Sequence, residues 1–334
     1  MKSHYLAADG QSAHLRKSNK KDGCNMVNQR NLWSRIKMQK WLLTMLAPSI
    51  ILVAIFNYAP LYGWIMAFTN YRLGHPISSG EFTGLLQFRR IFFHSNDLAW
   101  LLRNTLVING STIVINLVVA VVFSILLKEI VWKRGAKIVQ TVVFFPFFLS
   151  WVIVYAVAAA LLSVNTGLIN MTLVEAGILD RGINFLGNPR YSWGLMILLN
   201  MWRWTGYNTI IFVASISGIS TELYEAANID GANRLQKIKY VTFPHMLPTL
   251  CIMLILNVGW VFNNNLEQFF LFTNATNWER MEVIDMYIYR FGLRRMDYSY
   301  ATAMGILRSV VSLILLFGVN GIVRKLSNKE ISLF

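Results

Sequence analysis

Six long apolar stretches alternate with shorter polar segments along this sequence of 334 residues. Each stretch is long enough to cross a lipid bilayer as an α-helix, because about 20 predominantly apolar residues span the hydrocarbon core. The pattern therefore predicts an all-α membrane protein with about six transmembrane helices in one transmembrane domain, residues 41–323. The predicted spans are residues 41–68, 104–127, 138–162, 191–216, 246–272 and 300–323.

The composition and the two termini agree with this architecture. Hydrophobic residues make up 55% of the chain and the mean hydropathy is +0.46, which is too apolar for a soluble protein. Residues 1–40 form a basic tail, in which apolar and basic side chains from Leu32 to Trp41 have the spacing of an interfacial amphipathic helix. Residues 324–334 form a second, short tail.

The net charge of +15 is divided unequally between the two sides of the predicted membrane domain. With both termini in the cytoplasm, the inner segments hold 19 basic and 7 acidic residues, and all thirteen lysines lie among them. Counted together with Arg203 and Glu267 of the adjoining spans, the outer segments hold 11 basic and 9 acidic residues. This asymmetry follows the positive-inside rule and predicts cytoplasmic termini. The basic charge thus indicates topology and contact with anionic membrane lipids, and we expect no nucleic-acid partner.

Catalytic chemistry is not predicted for this chain. The two cysteines, Cys24 and Cys251, lie in the inner tail and in an apolar stretch, and no histidine or cysteine cluster has metal-ligand spacing. No phosphate-binding loop of the Gly-x-x-x-x-Gly-Lys-Ser/Thr type occurs. We therefore expect no catalytic residue, metal or cofactor in this chain, so any ATP hydrolysis must belong to another subunit.

The segment between the fourth and fifth spans, residues 218–245, is polar and is called the polar insert below. A helix is predicted over residues 221–229, capped by Thr221 and favoured by early glutamates and by alanines. Gly231 then interrupts the helix, because glycine adopts backbone angles that a side chain forbids. A second, amphipathic helix is predicted over residues 232–240.

Short motifs within the polar insert carry a family resemblance. The order Glu-Ala-Ala at 225–227, Asp-Gly-Ala at 230–232 and Phe-Pro at 243–244 resembles the EAA signature of bacterial ABC importer permeases. The resemblance implies a type I ABC importer permease fold, with the insert forming two cytoplasmic coupling helices in a cleft of the ATPase subunit. It implies that Glu225 pairs with a basic group of the ATPase. The implied coupling residues are Glu225, Ala226, Ala227, Asp230, Gly231, Ala232, Leu235 and Ile238.

Motifs outside the insert resemble the polysaccharide-uptake branch of this family, which includes permeases for alginate and similar oligosaccharides. They extend over most of the chain, from about Phe82 to Gly321. The motifs are Phe-Thr-Gly-Leu-Leu-Gln-Phe at 82–88, Arg-Asn-Thr at 103–105, Gly-Leu-Ile-Asn at 167–170, Tyr-Ile-Tyr-Arg at 287–290 and Tyr-Ser-Tyr-Ala-Thr-Ala at 298–303.

The resemblance implies a permease subunit of an ATP-driven importer of oligo- or polysaccharides in the bacterial cytoplasmic membrane. The implied partners are a second homologous permease, two ATPase subunits that bind ATP and Mg²⁺, and an extracytoplasmic solute-binding protein. The outer arginines Arg290, Arg294 and Arg295, together with Arg308, would suit an acidic substrate such as alginate. A permease for a neutral sugar or another solute is an open alternative. An ion-coupled carrier is a further one, for which Glu267 is the candidate carboxylate.

Polar side chains within the predicted spans are candidates for the substrate path, because a polar group that faces lipid is costly. Arg308 either lines this path or pairs with Glu267 or a helix-end carbonyl. Amides suit sugar hydroxyls and equally suit hydrogen bonds between helices. Tryptophan rings stack on sugars and also gather at membrane interfaces. The candidates are Arg308, Asn257, Trp260, Asn264, Glu267, Gln268, Trp202 and Trp204.

Overall fold

The computed structural model describes residues 39–263 and 265–326, and the structural statements below concern those residues. The interfacial helix predicted within the first tail lies outside the described residues, as do Asn264 and most of the second tail. The chain divides into two compact units, Met1–Gly63 and Trp64–Phe334.

The described part of the first unit is an apolar helical run. Helix α1, Lys40–Val53, continues through a π-helical turn at Ala54–Tyr58 into a 3₁₀ segment, Ala59–Phe68, which extends into the second unit. No residue of α1 is buried, although its sequence is strongly apolar. A helix with apolar side chains all round and none of them buried requires lipid or a partner protein around it.

The second unit is almost entirely helical. A short antiparallel ribbon pairs β1, Thr69–Asn70, with β2, Glu81–Phe82, so that Thr69 lies opposite Phe82. The helices are α2 Leu86–Phe93, α3 Asp97–Glu129, α4 Lys133–Phe144, α5 Trp151–Leu162, α6 Leu168–Glu175, α7 Pro189–Ser217, α8 Thr221–Ile229, α9 Arg234–Lys237, α10 Phe243–Gly259, α11 Leu266–Phe272, α12 Trp278–Met281, α13 Ile284–Tyr289 and α14 Tyr298–Leu326. A 3₁₀ turn at Phe145–Phe148 follows α4, and π-helical turns at Ile238–Thr242 and Arg290–Arg294 follow α9 and α13.

The described chain contains up to six segments that are long and apolar enough to cross a membrane. Four are continuous, namely Lys40–Phe68, α3, Arg234–Gly259 and Tyr298–Lys325. Two more are bent pairs, in which Lys133–Phe148 meets α5 at 104° and α7 meets α8 at 69°. The all-α architecture with about six spans agrees with the sequence prediction.

The third predicted span, residues 138–162, is broken rather than continuous. The chain leaves the helix after the 3₁₀ turn and restarts at Trp151. Pro146 cannot donate a backbone hydrogen bond, and Ser150 caps the new helix by accepting one from the Ile153 N–H at 3.4 Å.

The fifth predicted span, residues 246–272, is also interrupted. Its helix ends at Gly259 and resumes at Leu266. The intervening segment contains Asn263 and Asn265, and asparagine side chains compete with the helix by favouring turns. The second span, in contrast, begins at Asp97, earlier than the predicted residue 104.

Helix α3 lies at the centre of the packing and contributes to all three clusters of buried side chains. Its Leu101, Ile108 and Leu117 belong to successive clusters along the helix. The cluster nearest the polar insert contains Leu117, Ala120, Val121, Phe212, Ile216 and Met246. The middle cluster contains Trp151, Val154, Met196 and Phe269, and the one farthest from the insert contains Ile284, Tyr287, Tyr300 and Met304. The end of the bundle near Leu117 and Met246 is the insert end, and the end near Tyr287 and Tyr300 is the far end.

Side chains of α7 contact the break between α4 and α5 and satisfy one of its backbone groups. Arg203 donates from Nε to the freed Leu149 carbonyl oxygen at 3.0 Å, and its guanidinium lies 5.0 Å from the centre of the Trp151 ring. Gly206, one turn farther along α7, is in direct contact with the backbone at Phe144, because a Cβ there would overlap it. The packing of α7 on the broken helix therefore depends on a glycine.

The substitution Gly206→Ala tests this close contact. We expect it to destabilise the protein by about 1–3 kcal/mol, because the added methyl group meets rigid backbone rather than a flexible side chain. Thermal unfolding of the purified protein measures the effect. Gly194→Ala is the matched control on the same helix, since its Cβ would meet no atom within 4 Å. An equal loss of stability in both variants would contradict the close-contact role.

Candidate functional site

The first helix of the polar insert, α8, has the bounds that the sequence predicted. The predicted cap was wrong. Ser220, rather than Thr221, is the N-cap residue, and its Oγ accepts a hydrogen bond from the Glu222 N–H at 3.3 Å. Ser220 has an extended backbone, which an N-cap requires, whereas Thr221 is already helical. Adjacent hydroxyl residues make this choice ambiguous in the sequence alone.

The second helix of the insert begins at Arg234, two residues later than predicted. Asn233 and Gln236 form a capping box, in which the Gln236 N–H donates to Asn233 Oδ1 at 2.9 Å and the Asn233 N–H donates to Gln236 Oε1 at 2.7 Å. From Arg234 onward the helix continues without interruption to Gly259. The second helix of the insert and a membrane-spanning helix are thus one helical segment, which includes the π-helical turn at Ile238–Thr242.

Gly231 connects the two helices of the insert in a left-handed conformation, with φ of +74°. A Cβ at this position would meet no atom within 4 Å. The requirement for glycine therefore comes from the backbone conformation and not from crowding, as the sequence predicted. Lys237 adds a link across the turn, since its Nζ donates to Asn228 Oδ1 at 2.8 Å.

Most of the predicted coupling residues lie on the surface. The exposed ones are Glu225, Ala226, Asp230, Gly231 and Leu235, and the half-buried ones are Ala227, Ala232 and Ile238. Leu235 is 77% exposed, and Ile229, which the sequence analysis did not select, is 87% exposed. The signal for Ile229 was available, because it is an apolar residue directly before a turn in an otherwise polar segment. The polar insert therefore exposes the carboxylate of Glu225 and the aliphatic side chains of Ile229 and Leu235.

Arg308 forms an ion pair with Asp285 of α13. The side chain of Arg308 is 29% exposed and that of Asp285 is 12% exposed. The predicted partner Glu267 was wrong, since Glu267 is exposed and forms no ion pair among the described residues. The sequence indicated an acidic partner, because an unpaired arginine within a span is costly. Which acidic residue is the partner depends on how α13 packs on α14.

The amide candidates occupy different surroundings. Gln268 is buried, accepts a hydrogen bond from Asn200 Nδ2 at 3.3 Å and donates one from Nε2 to the Met196 carbonyl oxygen at 3.4 Å. Asn200 in turn accepts from Asn116 Nδ2 at 3.1 Å. This chain of amides links α3, α7 and α11, and the sequence analysis missed two of its three members. Asn257 donates to the Met253 carbonyl oxygen of its own helix at 2.7 Å.

The tryptophan candidates also differ in exposure. Trp260 is 66% exposed and Trp202 is 40% exposed, so both rings are available to lipid, a partner or a ligand. Trp204 packs edge-on against Phe147 and Tyr207, with ring centroids 5.2 and 5.6 Å apart. Trp204 therefore contributes to the aromatic packing around the break after α4.

Motif residues near the far end of α3 anchor the segment that contains α12 and α13. Buried Asn104 donates from Nδ2 to the Glu279 carbonyl oxygen at 2.7 Å and to that of Glu282 at 3.1 Å. Thr105 accepts a hydrogen bond on Oγ1 from the Ile284 N–H at 3.2 Å. The Arg-Asn-Thr motif thus positions the segment that carries Asp285.

The Gly-Leu-Ile-Asn motif has a similar role in the segment between α5 and α7, which contains α6. Asn170 is 1% exposed and donates from Nδ2 to the carbonyl oxygens of Ser163 and Ile183, each at 2.9 Å. Its Oδ1 accepts from the Ile183 N–H, also at 2.9 Å. One amide side chain therefore joins the carboxyl end of α5 to the segment that precedes α7.

The tyrosine motifs meet in a buried network at the far end. Tyr287 donates to Asp97 Oδ2 at 2.9 Å, and its hydroxyl lies 3.1 Å from that of Tyr300. Nearby, Arg290 pairs with Glu282 at 2.9 Å. Burial outweighs this attraction and raises the pKa of Glu282 to about 7. Glu282 consequently holds its proton over a wider pH range than an exposed glutamate does.

Comparison with known proteins extends over nearly the whole chain. Residues 116–328 match the family described as the inner membrane component of binding-protein-dependent transport systems. The polygalacturonan/rhamnogalacturonan transport system permease protein YteP of Bacillus subtilis (strain 168) is 36% identical over 303 residues, which are 91% of this chain and 94% of that protein. Protein LplB of the same organism is 33% identical over 87% of this chain and 90% of its own length.

Two solved structures have the same fold. A chain of a bacterial alginate ABC transporter in complex with an alginate pentasaccharide-bound periplasmic protein superposes with a TM-score of 0.82 and 33% identity, covering 91% of this chain and 100% of that chain. A chain of a bacterial ABC transporter involved in the import of the acidic polysaccharide alginate gives 0.80 and 32%, covering 89% and 99%. The predicted type I permease fold is confirmed by these similarities.

The pair of Arg308 and Asp285 allows the two interpretations of Arg308 to be separated. We expect Arg308→Gln and Asp285→Asn each to lower stability by about 1–3 kcal/mol, less than the 3–5 kcal/mol typical of a fully buried pair, because each removes one partner of an ion pair that is only partly buried. The double variant should recover most of the loss. Thermal unfolding measures the cycle, and uptake is measured at matched protein amounts.

If Arg308 lines the substrate path, the double variant recovers stability but not uptake. Recovery of both would assign the pair to helix packing alone. Unchanged stability in both single variants would contradict the ion pair itself.

Proposed function

Because this chain belongs to the family of inner membrane components of binding-protein-dependent transport systems, we propose that it is a permease subunit of an ATP-driven importer of acidic oligo- or polysaccharides. One observation supports the substrate class. A relative found by sequence and one found by structure each match nearly the whole chain, and both have names that refer to polysaccharide transport or import. A family defined by its dependence on a binding protein does not fit an ion-coupled carrier.

The partners follow from this assignment. A second homologous permease completes the pathway, and two ATPase subunits bind ATP and Mg²⁺, while this chain binds neither. An extracytoplasmic solute-binding protein delivers the saccharide. We place the chain in the bacterial cytoplasmic membrane with both termini in the cytoplasm, in keeping with the position of its lysines.

The exposed surface of the polar insert supports a coupling role. Glu225 offers a carboxylate to a basic group of the ATPase, and Leu235 and Ile229 offer apolar contact. Closure of the ATPase dimer around ATP would move the insert, and the helix from Arg234 to Gly259 would transmit that movement to the pathway. Both ends of this element must favour the same state, because coupling between two sites is reciprocal.

Arginines near α13 support an acidic substrate. Arg294 and Arg295 are exposed, and each lies over an aromatic ring, at 5.9 Å from the centre of Tyr289 and 4.4 Å from the centre of Phe291. Stacking on aromatic rings orients a guanidinium while leaving its donors free for carboxylates. A positively charged surface of this kind attracts anionic chains from solution.

A neutral saccharide is the second candidate, and the ion pair between Arg308 and Asp285 favours it. Since Asp285 balances the charge of Arg308, this pair adds no net positive charge to the pathway. Exposed Trp202 and Trp260 offer flat apolar faces, on which sugar rings stack regardless of charge.

The substrate class is tested by the ATPase activity of the complete transporter, assembled with its partner subunits in membranes. We expect binding protein loaded with oligouronates to stimulate hydrolysis, because the loaded binding protein favours the state that the ATPase closes. Binding protein loaded with neutral oligosaccharides is the matched control. Stimulation by the neutral ligands only would replace the acidic substrate by a neutral one, and the absence of any associated ATPase would overturn the importer assignment.

The coupling role of the insert is tested at Gly231. We expect Gly231→Val to leave membrane insertion intact but to uncouple ATP hydrolysis from uptake, because a β-branched residue strains a backbone with φ of +74°. Gly231→Asn is the matched control, since asparagine tolerates this conformation better, and it should retain more coupling. The ratio of solute imported to ATP hydrolysed measures the effect. A wild-type ratio in Gly231→Val would refute the assignment.

A further inference from the structure

A cavity of about 420 Å³ opens at the insert end of the bundle, between the ends of α3, α4 and α7. Its polar lining consists of Lys128, Lys133, Lys137, Ser124, Gln140 and Ser217. No acidic side chain of the described residues lines it. The cavity therefore has the composition of an anion site, with three positive charges and several neutral hydrogen-bonding groups.

The residues at the start of α4 do not complement the dipole of the helix. The amino end of a helix carries a partial positive charge and favours acidic side chains. Here the first turn contains Lys133 and Arg134, has no acidic residue, and lacks a side-chain hydrogen bond from the N-cap residue Trp132. An anion bound beside this turn would offset both the helix dipole and the lysines.

The lysines of the cavity are not neutralised within the described part of the chain. The ion pairs there involve arginines only, and none of Lys128, Lys133 and Lys137 contributes to one. Lys133 and Lys137 lie four residues apart on α4, so both point from one face of the helix into the same space. Lys128 approaches them from α3.

The surface around the cavity is apolar and exposed. Val131 is 86% exposed, Trp132 65%, Ile138 57% and Leu126 56%. The ring of Trp132 packs over Gly135, where a Cβ would overlap it. Tryptophan at such a position is typical of the boundary between the hydrocarbon core and the headgroups. A basic cavity bordered by exposed aliphatic side chains matches a phospholipid, with its phosphate in the cavity and its acyl chains along α3 and α4.

We propose that this cavity binds the phosphate group of an anionic phospholipid from the membrane leaflet at the insert end. The three lysines and the start of α4 hold the phosphate, while Ser124, Gln140 and Ser217 provide the remaining polar lining. Lys128 also lies 5.8 Å from the centre of the Tyr224 ring in α8. The Tyr224 hydroxyl is 2.9 Å from Thr242 Oγ1. Lys128 thus lies beside the first helix of the polar insert, and Tyr224 of that helix contacts the segment that follows the second.

The test compares lipid binding by the complete transporter carrying wild-type chain, Lys133→Gln, Lys137→Gln or Arg134→Gln. Native mass spectrometry measures the affinity of the detergent-purified complex for phosphatidylglycerol and for phosphatidylcholine. We expect wild type to prefer phosphatidylglycerol. Each cavity lysine removed should weaken that binding by about fivefold, as expected for one basic residue near an anionic headgroup. Arg134→Gln removes the same charge from the same turn but lies outside the cavity, and it should change the affinity far less.

Three outcomes would overturn the proposal. Equal weakening in Arg134→Gln and the lysine variants would indicate general surface electrostatics. Equal affinity of wild type for the two lipids would exclude an anion site. Competition by inorganic phosphate at concentrations comparable to those of the lipid would assign the cavity to a soluble phosphate compound instead of a phospholipid.

Discussion

Asn109 of α3 donates from Nδ2 to the Val261 carbonyl oxygen at 2.7 Å, within the break that follows α10. Arg203 of α7 does the same for Leu149 in the break that follows α4. At membrane depth, non-helical backbone is tolerated only where protein or a water-filled cavity satisfies the freed polar groups, and here side chains of neighbouring helices supply the donors. Asn104, Asn170 and Asn277 supply donors to carbonyl oxygens of the loops at the far end. The interrupted helices of this bundle depend on these long-range hydrogen bonds.

The two ends of the bundle differ in architecture. Toward the far end, spans end in short helices and loops that are joined by buried amide and tyrosine side chains. Toward the insert end, the helix from Arg234 to Gly259 runs without interruption from the polar insert into the membrane domain.

Charge is also distributed by region. The ion pairs of the described chain, Arg90 with Asp297, Arg290 with Glu282 and Arg308 with Asp285, all involve α13, α14 or the turns around them. Arginine suits these sites because its planar group bonds to a carboxylate and stacks on aromatic rings at once. The lysines near the insert lack such carboxylate partners among the described residues, and they surround a cavity next to exposed apolar side chains. The ion-paired arginines thus lie around α13 and α14, whereas the lysines of the cavity have no carboxylate partner among the described residues.

What the sequence determined by itself is local. Hydrophobic length predicted about six spans, α8 has its predicted bounds, and Gly231 has the positive φ that its turn requires. The motifs of the insert identified the family because their spacing lies within one short segment. Only the tertiary structure decided that two spans are broken, that Asp285 is the partner of Arg308, and that Gln268 belongs to an interhelical amide chain. Each of these outcomes depends on residues that lie far apart in the sequence, as Asn104 and Glu282 do. The periodicity of a single helix contains no information about which distant donor will meet which acceptor.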